Sequence, residues 1–295
     1  LLFCAVNRTH SPLVRLKAGS NLSPLFLIHA ATGDASFYKY LAKYLEVEQP
    51  VYGLKKVFEE KDISLPLKPL QFMDYTPVEE IAKFYIEEIQ TVQSEGPYLL
   101  GGLSIGGIIA FEMAQQLRKQ GNEVGLLALM DSELSHCHFI EEDVTKVILD
   151  SLEYFASQHQ ISIDISSLSY VDVQRFSNLD ERWDYVMKKV GFTPEQSFIN
   201  RRLYKTIMSS LVDIWHYTPN IYSGDITFFY AQKDEEFKES LNHGFPKSFS
   251  GWEKLCSNPI KLVKVPGNHN SMLFEPHVRT VAEKFNQYLN SVKLR

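Results

Sequence analysis

The chain contains little cysteine and no long hydrophobic run. Its three cysteines, Cys4, Cys137 and Cys256, allow at most one internal disulfide, which excludes a disulfide-stapled scaffold and favours a reducing compartment, so we expect a cytoplasmic protein. No segment approaches the roughly 20 consecutive apolar residues that a membrane helix requires. The apolar run 1–6 is also too short for the core of a signal peptide. We therefore expect no membrane partner.

A surplus of basic residues is also missing. Lysine and arginine number 30 against 36 aspartates and glutamates, which gives a net charge of -6. Because phosphate contacts need a basic face, we expect no nucleic-acid partner. Among the 295 residues, 44% are hydrophobic and 22% charged, which excludes a disordered or fibrous protein. The chain begins with Leu1 rather than Met, so we expect a domain cut from a longer protein.

Short apolar runs alternate with amphipathic patterns along most of the chain. Such alternation is typical of βαβ units, in which helices cover both faces of a mostly parallel sheet, so we predict an α/β fold. A helical block at about 133–217 interrupts the alternation. The predicted strands are 13–16, 25–28, 51–53, 98–102, 124–130, 226–230 and 262–265. The predicted helices are 36–45, one that starts at the capping signal 76–79, 108–119, 141–156, 180–190, 198–216 and 278–289.

One motif, the G-x-S-x-G of residues 102–106, carries the clearest chemical signal. An apolar strand precedes it and a helix follows, which is the context of a nucleophile elbow with Ser104 at its tip. Small residues on both sides of the serine let the helix fold back against the strand, and the helix N-terminus favours developing negative charge. A phosphate-binding glycine turn is the alternative, but the chain lacks G-x-x-x-x-G-K-[ST] and G-x-G-x-x-G.

A serine nucleophile needs a base and an acid, which follow it in the order acid then histidine in this type of fold. Of the downstream histidines, only His269 lies in a turn directly after a predicted strand, so we predict His269 as the base. For the acid, Asp131 and Asp234 both follow strands, and spacing alone leaves both open. The triplet His136-Cys137-His138 has no clustered partner ligands, so we predict no metal.

An oxyanion hole requires two backbone N–H groups aimed at one oxygen. The N–H of Ile105, directly after the nucleophile, is the first candidate. The second is expected in the loop 29–33, whose small residues let the backbone approach a substrate closely. His29 precedes the serine in the chain, which favours a role in bracing this loop rather than in catalysis.

Four segments, in order along the chain, resemble one protein family. Residues 25–33 resemble the F-L-V-H-P-A-G-G segment of the thioesterase domains of polyketide and nonribosomal peptide synthetases, which are related to the fatty acid synthase thioesterase. Residues 102–114 resemble their G-x-S-x-G-G-x-x-A-F-E-x-A segment. Residues 126–132 resemble their L-x-L-L-D-S strand, and residues 267–272 resemble their G-x-H-x-x-M-L loop.

The resemblance implies an α/β-hydrolase fold, with residues 1–295 as a single domain and the block at about 133–217 as a helical lid. In synthase-terminal thioesterases the acid follows the strand after the nucleophile helix, which implies Asp131. Stand-alone type II editing thioesterases use a later strand, which would favour Asp234. The family's oxyanion N–H groups correspond to Ala31 and Ile105. Ala30 stands where the family usually has proline.

The implied activity is release of an acyl, polyketide or peptidyl chain from the phosphopantetheine arm of a carrier protein, through an ester on Ser104. Hydrolysis and macrocyclisation both remain open. The implied partner is an acyl or peptidyl carrier domain upstream in the same chain or in another, and no cofactor of the domain's own is implied. The alternatives are a type II editing thioesterase, a serine esterase or lipase acting on free esters, and a non-catalytic α/β-hydrolase used as a binding module.

Overall fold

A computed structural model describes most of the chain and divides it into two compact units. The first, here called the sheet unit, comprises Leu1–Val57, Thr76–Ser135 and Tyr217–Arg295, and the second, the helical unit, comprises Phe58–Tyr75 and His136–His216. The residues described are 11–20, 22–46, 48–57, 66–68, 73–134, 147–149, 151–152, 156, 162, 164, 168, 173, 175–232, 249 and 251–293.

Seven strands form one sheet in the order β1-β3-β2-β4-β5-β6-β7. The outermost strand β1 runs antiparallel to β3, and every other neighbouring pair is parallel. The strands are β1 Leu13–Lys17, β2 Leu25–Ile28, β3 Val51–Leu54, β4 Tyr98–Leu103, β5 Val124–Met130, β6 Thr227–Ala231 and β7 Lys261–Val265. The main helices are α1 Lys39–Tyr44, α2 Val78–Gln90, α3 Ile105–Lys119, α4 Leu179–Lys189, α5 Pro194–Trp215 and α6 Val278–Lys293. The prediction of a mostly parallel α/β fold is confirmed.

Side chains of the strands alternate between two buried layers, because successive residues of a strand point to opposite faces of a sheet. Phe229 on β6 stacks on Phe285 of α6, with ring centroids 4.5 Å apart, in the layer that also contains α1. Its neighbour Phe228 points the other way, toward the ring of Trp252, which in turn contacts Phe111 of α3. Helices therefore cover both faces, and the carboxyl ends of the parallel strands share one edge.

Several helix starts differ from the predictions, and α1, for example, begins at Lys39 rather than at 36. The helix after the elbow begins at Ile105, three residues earlier than expected, because Gly106 and Gly107 adopt helical conformation where close packing leaves no room for side chains. The helix predicted from the signal at 76–79 begins at Val78. The signal at 76–79 predicts a cap at Thr76 and a proline in the first turn, but the N-cap residue is Pro77, which offers no side-chain hydrogen bond.

The described part of the helical unit contains α4 and α5. Helix α5 begins at Pro194, four residues before the predicted start, because Thr193 caps it: its hydroxyl accepts from the N–H of Gln196, and the Gln196 side chain accepts from the N–H of Thr193. The predicted helix 141–156 lies mostly outside the described residues. Residues 58–75, assigned to this unit, were not part of the predicted lid, and the single-domain organisation with a lid at 133–217 stays a prediction. Within the described ranges, no helix has the length and apolar character of a membrane span.

Candidate functional site

Ser104 occupies a strained turn between β4 and α3. Its φ of 57° and ψ of -127° are angles that side-chain-bearing residues rarely adopt. A Cβ on Gly102 would lie 2.1 Å from the carbonyl carbon of Gly106, and a Cβ on Gly106 would lie 2.4 Å from the carbonyl oxygen of Ile28. Both glycines of the motif are therefore required by close backbone approach. The turn has the geometry expected of a nucleophile elbow.

Asp131 lies next to this elbow because it follows the neighbouring strand. The N–H of Ser104 donates to the carbonyl oxygen of Met130, the last residue of β5, at 2.9 Å. Asp131 itself has a φ of 45°, and its own N–H donates to the carbonyl oxygen of Phe229 on β6 at 2.8 Å. Nucleophile and acid candidate thus leave adjacent parallel strands at the same edge, and both have left-handed backbone conformations.

His269 reaches Asp131 from the loop after β7. Its Nδ1 lies 3.2 Å from Oδ2 of Asp131, and because a carboxylate only accepts, the N–H is assigned to Nδ1. The loop is held by its own hydrogen bonds: the N–H of Asn268 donates to the Ser271 hydroxyl at 2.9 Å, and the N–H of Asn270 donates to Oδ1 of Asn268 at 3.0 Å. This arrangement leaves Nε2 of the imidazole available to a nucleophile.

Not every predicted site residue is brought into contact. Among the described residues, His269 is hydrogen-bonded to Asp131 but not to the Ser104 hydroxyl. Catalytic hydrogen bonds often shorten only when substrate is bound. The alternative acid Asp234 lies outside the described residues, as do His136, Cys137 and His138. Within the part of the chain that is described, no three His, Cys, Asp or Glu side chains group as metal ligands.

The two candidate oxyanion donors lie on segments that pack closely together. A Cβ on Gly106 would lie 2.4 Å from the carbonyl oxygen of Ile28 and 2.5 Å from that of His29. The first turn of α3 therefore packs directly against the end of β2. Among the described residues, the N–H groups of Ala31 and Ile105 donate to no backbone or side-chain acceptor. Their role in an oxyanion hole stays a prediction.

His29 braces the loop that contains Ala31. The ring is buried, its Nδ1 donates to the carbonyl oxygen of Ala30 at 2.8 Å, and its Nε2 lies 2.9 Å from the hydroxyl of Tyr85. Burial lowers the pKa of His29 from 6.5 to about 4, so the imidazole is neutral at pH 7. These contacts agree with the bracing role expected from the sequence.

Tyr38 is a supporting residue that the sequence did not indicate. Its hydroxyl accepts from the N–H of Leu103 at 2.7 Å and donates to the carbonyl oxygen of Ile28 at 2.8 Å. It therefore bridges the ends of β2 and β4. The loop 29–33 follows the first of these strands in the chain, and Ser104 follows the second. Burial raises the pKa of the Tyr38 hydroxyl well above its ordinary value, which keeps it protonated and able to donate.

Ser132, directly after the acid candidate, packs against the nucleophile helix. A Cβ placed on Gly107 would lie 1.9 Å from the Ser132 hydroxyl oxygen. The Ser132 hydroxyl lies 3.2 Å from the carbonyl oxygen of Met130, and its own carbonyl oxygen accepts from the indole N–H of Trp252 at 2.6 Å. The turn formed by Asp131 and Ser132, here called the acid turn, is thus held on two sides.

The sequence model of the family described as "Thioesterase domain" matches residues 23–289, most of the chain. This chain belongs to the thioesterase domain family. The family resemblance of the four sequence segments is thereby confirmed, and the matched range includes Ser104, Asp131 and His269.

Curated relatives of this thioesterase domain are much longer proteins. It is 25% identical to the "Inactive atromentin synthetase invA6" of Paxillus involutus, over 96% of this chain and 28% of that protein. It is 29% identical to the "Malpibaldin synthetase" of Mortierella alpina, over 89% of this chain and 4% of that protein. It is 26% identical to the "Chondramide synthase cmdD" of Chondromyces crocatus, over 97% of this chain and 7% of that protein. The chain therefore spans less than a third of the length of each of these relatives.

Solved structures share the fold of this thioesterase domain. Holo-AB3403, a four-domain nonribosomal peptide synthetase bound to AMP and glycine, matches with a TM-score of 0.70 and 24% identity, over 94% of this chain and 20% of that one. The Vlm2 thioesterase domain with a bound dodecadepsipeptide matches with a TM-score of 0.61 and 21% identity, over 94% and 96% of the two chains. Together with the mostly parallel sheet, these similarities establish the α/β-hydrolase fold.

Proposed function

We propose that this thioesterase domain releases an acyl, polyketide or peptidyl chain from a carrier protein through an ester on Ser104. The observation that carries the proposal is the 3.2 Å hydrogen bond between Nδ1 of His269 and Oδ2 of Asp131, at the sheet edge where Ser104 forms the elbow. A buried, strained serine at the same sheet edge as an oriented imidazole is the arrangement from which a hydroxyl can be activated as a nucleophile.

In the first step, Nε2 of His269 takes the proton of the Ser104 hydroxyl while Oγ attacks the thioester carbonyl carbon. The negative charge on the carbonyl oxygen is stabilised by the N–H groups of Ala31 and Ile105. The intermediate collapses, the carbon–sulfur bond breaks, and the imidazolium gives its proton to the departing thiol. Asp131 keeps the imidazole oriented and stabilises its positive charge throughout.

In the second step, the ester on Ser104 is attacked by water or by a hydroxyl or amine of the bound chain. His269 takes the proton of the attacking group and returns it to Oγ of Ser104. Water releases a free acid, and an internal group releases a ring. The same residues serve both outcomes, so the access of water to the ester decides between hydrolysis and cyclisation.

The delivering partner is proposed to be a phosphopantetheine carrier domain, upstream in the same chain or in another. Support comes from the relatives, which are synthetases of which this chain matches between 4% and 28%. The reaction uses side chains and backbone N–H groups alone, so we propose no cofactor beyond the carrier's arm. We also propose a cytoplasmic location and no nucleic-acid partner, on the composition of the chain.

The decisive test is labelling with a fluorophosphonate, which reacts with activated serines. We expect one adduct, located on Ser104 by peptide mass spectrometry, and no adduct in Ser104→Ala. Ser132→Ala is the matched control, since that serine lies at the same sheet edge and is not proposed to react. Absence of any adduct on Ser104 would favour the non-catalytic binding module, an outcome of interest because one named relative is described as inactive.

Substrate class is tested by comparing acyl-pantetheine thioesters with aryl esters of the same acid. We expect a higher kcat/KM for the thioesters, and a further increase when the same acyl group is delivered on a carrier domain. A preference for the free aryl esters would instead support an esterase or lipase.

The acid assignment is tested with matched amide substitutions. Asp131→Asn should lower kcat by roughly 10³- to 10⁴-fold, because the amide favours the wrong imidazole tautomer and cannot stabilise the imidazolium. Asp234→Asn should retain activity close to that of the wild type. The reverse ranking of the two variants would assign the acid to Asp234, as in type II editing thioesterases.

A further inference from the structure

The acid turn needs restraint from outside because its backbone is not in a relaxed conformation. Asp131 has a φ of 45°, and such residues persist only where the surrounding structure holds them. On the side before Asp131, ladder-like hydrogen bonds supply that restraint: its N–H donates to the carbonyl oxygen of Phe229, and the Met130 carbonyl accepts from the N–H of Ser104. The side after Asp131, at Ser132, lies beyond the end of β5 and needs a different anchor.

Trp252 supplies an anchor at Ser132. Its indole N–H donates to the Ser132 carbonyl oxygen at 2.6 Å, and both residues are fully buried. The ring is held by aromatic neighbours, with its centroid 5.0 Å from that of Phe111 on the nucleophile helix and 6.5 Å from that of Phe228 on β6. Trp252 thus joins the acid turn to two elements that border the site.

We propose that Trp252 is a positioning residue whose indole N–H holds the acid turn so that Asp131 faces His269. The inference rests on the proposed function for its kinetic consequence, but its structural part concerns the hydrogen bond between Asp131 and His269. Trp252 acts only through the Ser132 carbonyl. A backbone carbonyl released at this point would let the peptide after Asp131 rotate, which would turn the carboxylate away from the imidazole.

The test removes the N–H of Trp252 and keeps the ring. Replacing the residue by benzothienylalanine exchanges the indole N–H for sulfur and preserves the packing on Phe111 and Phe228. Trp252→Phe provides the simpler genetic variant. Trp183→Phe is the matched control, because Trp183 is also buried and donates its indole N–H to a serine, Ser197, at 3.2 Å, but lies in the helical unit.

Two measurements are made on each variant whose circular dichroism equals that of the wild type. The first is the far-downfield proton NMR signal of an imidazole N–H bonded to a carboxylate, assigned to His269 by its loss in His269→Ala. The second is kcat and KM for an acyl-pantetheine thioester. Without the Trp252 N–H, we expect the signal to shift upfield or vanish and kcat to fall by roughly 10- to 100-fold at unchanged KM, since small misplacement of a catalytic group costs about that much.

Several results would overturn the inference. One is an unchanged signal and kcat in the benzothienylalanine protein, and another is an equal loss of signal in Trp183→Phe, which would indicate general loosening. The inference would also be overturned if the wild-type spectrum contains no downfield signal that disappears in His269→Ala. If the wild type shows the signal but cleaves no thioester, the proposed function fails, and the NMR comparison alone decides the role of Trp252.

Discussion

Single residues at this site are held in conformations that they would not adopt alone. Ser104 and Asp131 both have positive φ, and each such residue costs on the order of 1 kcal/mol or more. Neighbours that the chemistry does not use support these turns: Gly102 and Gly106 allow the close backbone approach, and Tyr38 bridges the strand ends. The reactivity of Ser104 is therefore expected to depend on residues that hold the backbone and do not contact the substrate.

His29 leads to a prediction about pH. Its pKa is about 4 in the folded protein against 6.5 ordinarily, so between these values the unfolded chain binds a proton that the folded chain does not. The stability present above pH 6.5 is therefore lost as pH falls toward about 4, at up to about 1.4 kcal/mol per pH unit. The variant His29→Asn offers a side-chain N–H toward the Ala30 carbonyl, and its amide does not titrate.

The measurement is urea unfolding of both proteins at several pH values from 8 down to 4. We expect the free energy of unfolding to decline more steeply in the wild type than in His29→Asn, with the difference confined to pH below 6.5. Parallel curves would mean that His29 takes up a proton in the folded state as readily as in the unfolded chain.

Between elements, the Tyr38 hydroxyl joins the ends of β2 and β4 next to the site. Tyr38→Phe removes the hydroxyl that pairs the Leu103 N–H and the Ile28 carbonyl, and both are left buried without that partner. We expect the free energy of unfolding to fall by about 2 kcal/mol. Equilibrium denaturation measures this loss.

The matched control for Tyr38→Phe is Tyr40→Phe. Tyr40 lies two residues later and its ring packs on Phe274, while its hydroxyl has no hydrogen-bond partner among the described residues. We expect its free energy of unfolding to equal that of the wild type. Equal losses in the two variants would show that the bridge between the strand ends contributes nothing specific.

At the scale of the whole molecule, the chain leaves the sheet unit twice and returns to it twice. The five residues of the proposed mechanism all belong to the sheet unit: Ser104, Asp131, His269, Ala31 and Ile105. Compact units with separate cores can open separately. We expect native-state hydrogen exchange to show amides of α4 and α5 opening at lower urea than amides of β4 and β5. Identical urea dependence in both sets would show one cooperative unit.

Much of the fold could be predicted because local patterns encode it. The apolar runs located the strands to within a residue or two, and the elbow motif located the turn at Ser104. Predicting that His269 follows the last strand also placed it within reach of Asp131. The predicted catalytic roles themselves remain proposals.

Other features depend on contacts between distant parts of the chain. The Tyr38 hydroxyl bonds a residue 65 positions away, and the Trp252 indole bonds one 120 positions away, so no local pattern could indicate either. The early start of α3 also depends on contacts between distant segments. Glycines such as Gly106 and Gly107 favour a loop by themselves, but here the end of β2 and Ser132 pack against them.

Because Ser132 packs against Gly107, the order in which these two positions are substituted matters. Gly107→Ala alone would place a methyl group 1.9 Å from the Ser132 hydroxyl oxygen and 2.8 Å from its Cβ, so it would break the elbow. Ser132→Gly removes both of those atoms and gives up the side-chain hydrogen bonds to the carbonyl oxygens of Met130 and Gly102. We therefore expect Gly107→Ala to be less disruptive after Ser132→Gly than before it, although its Cβ would still lie 3.1 Å from the Gly102 carbonyl oxygen.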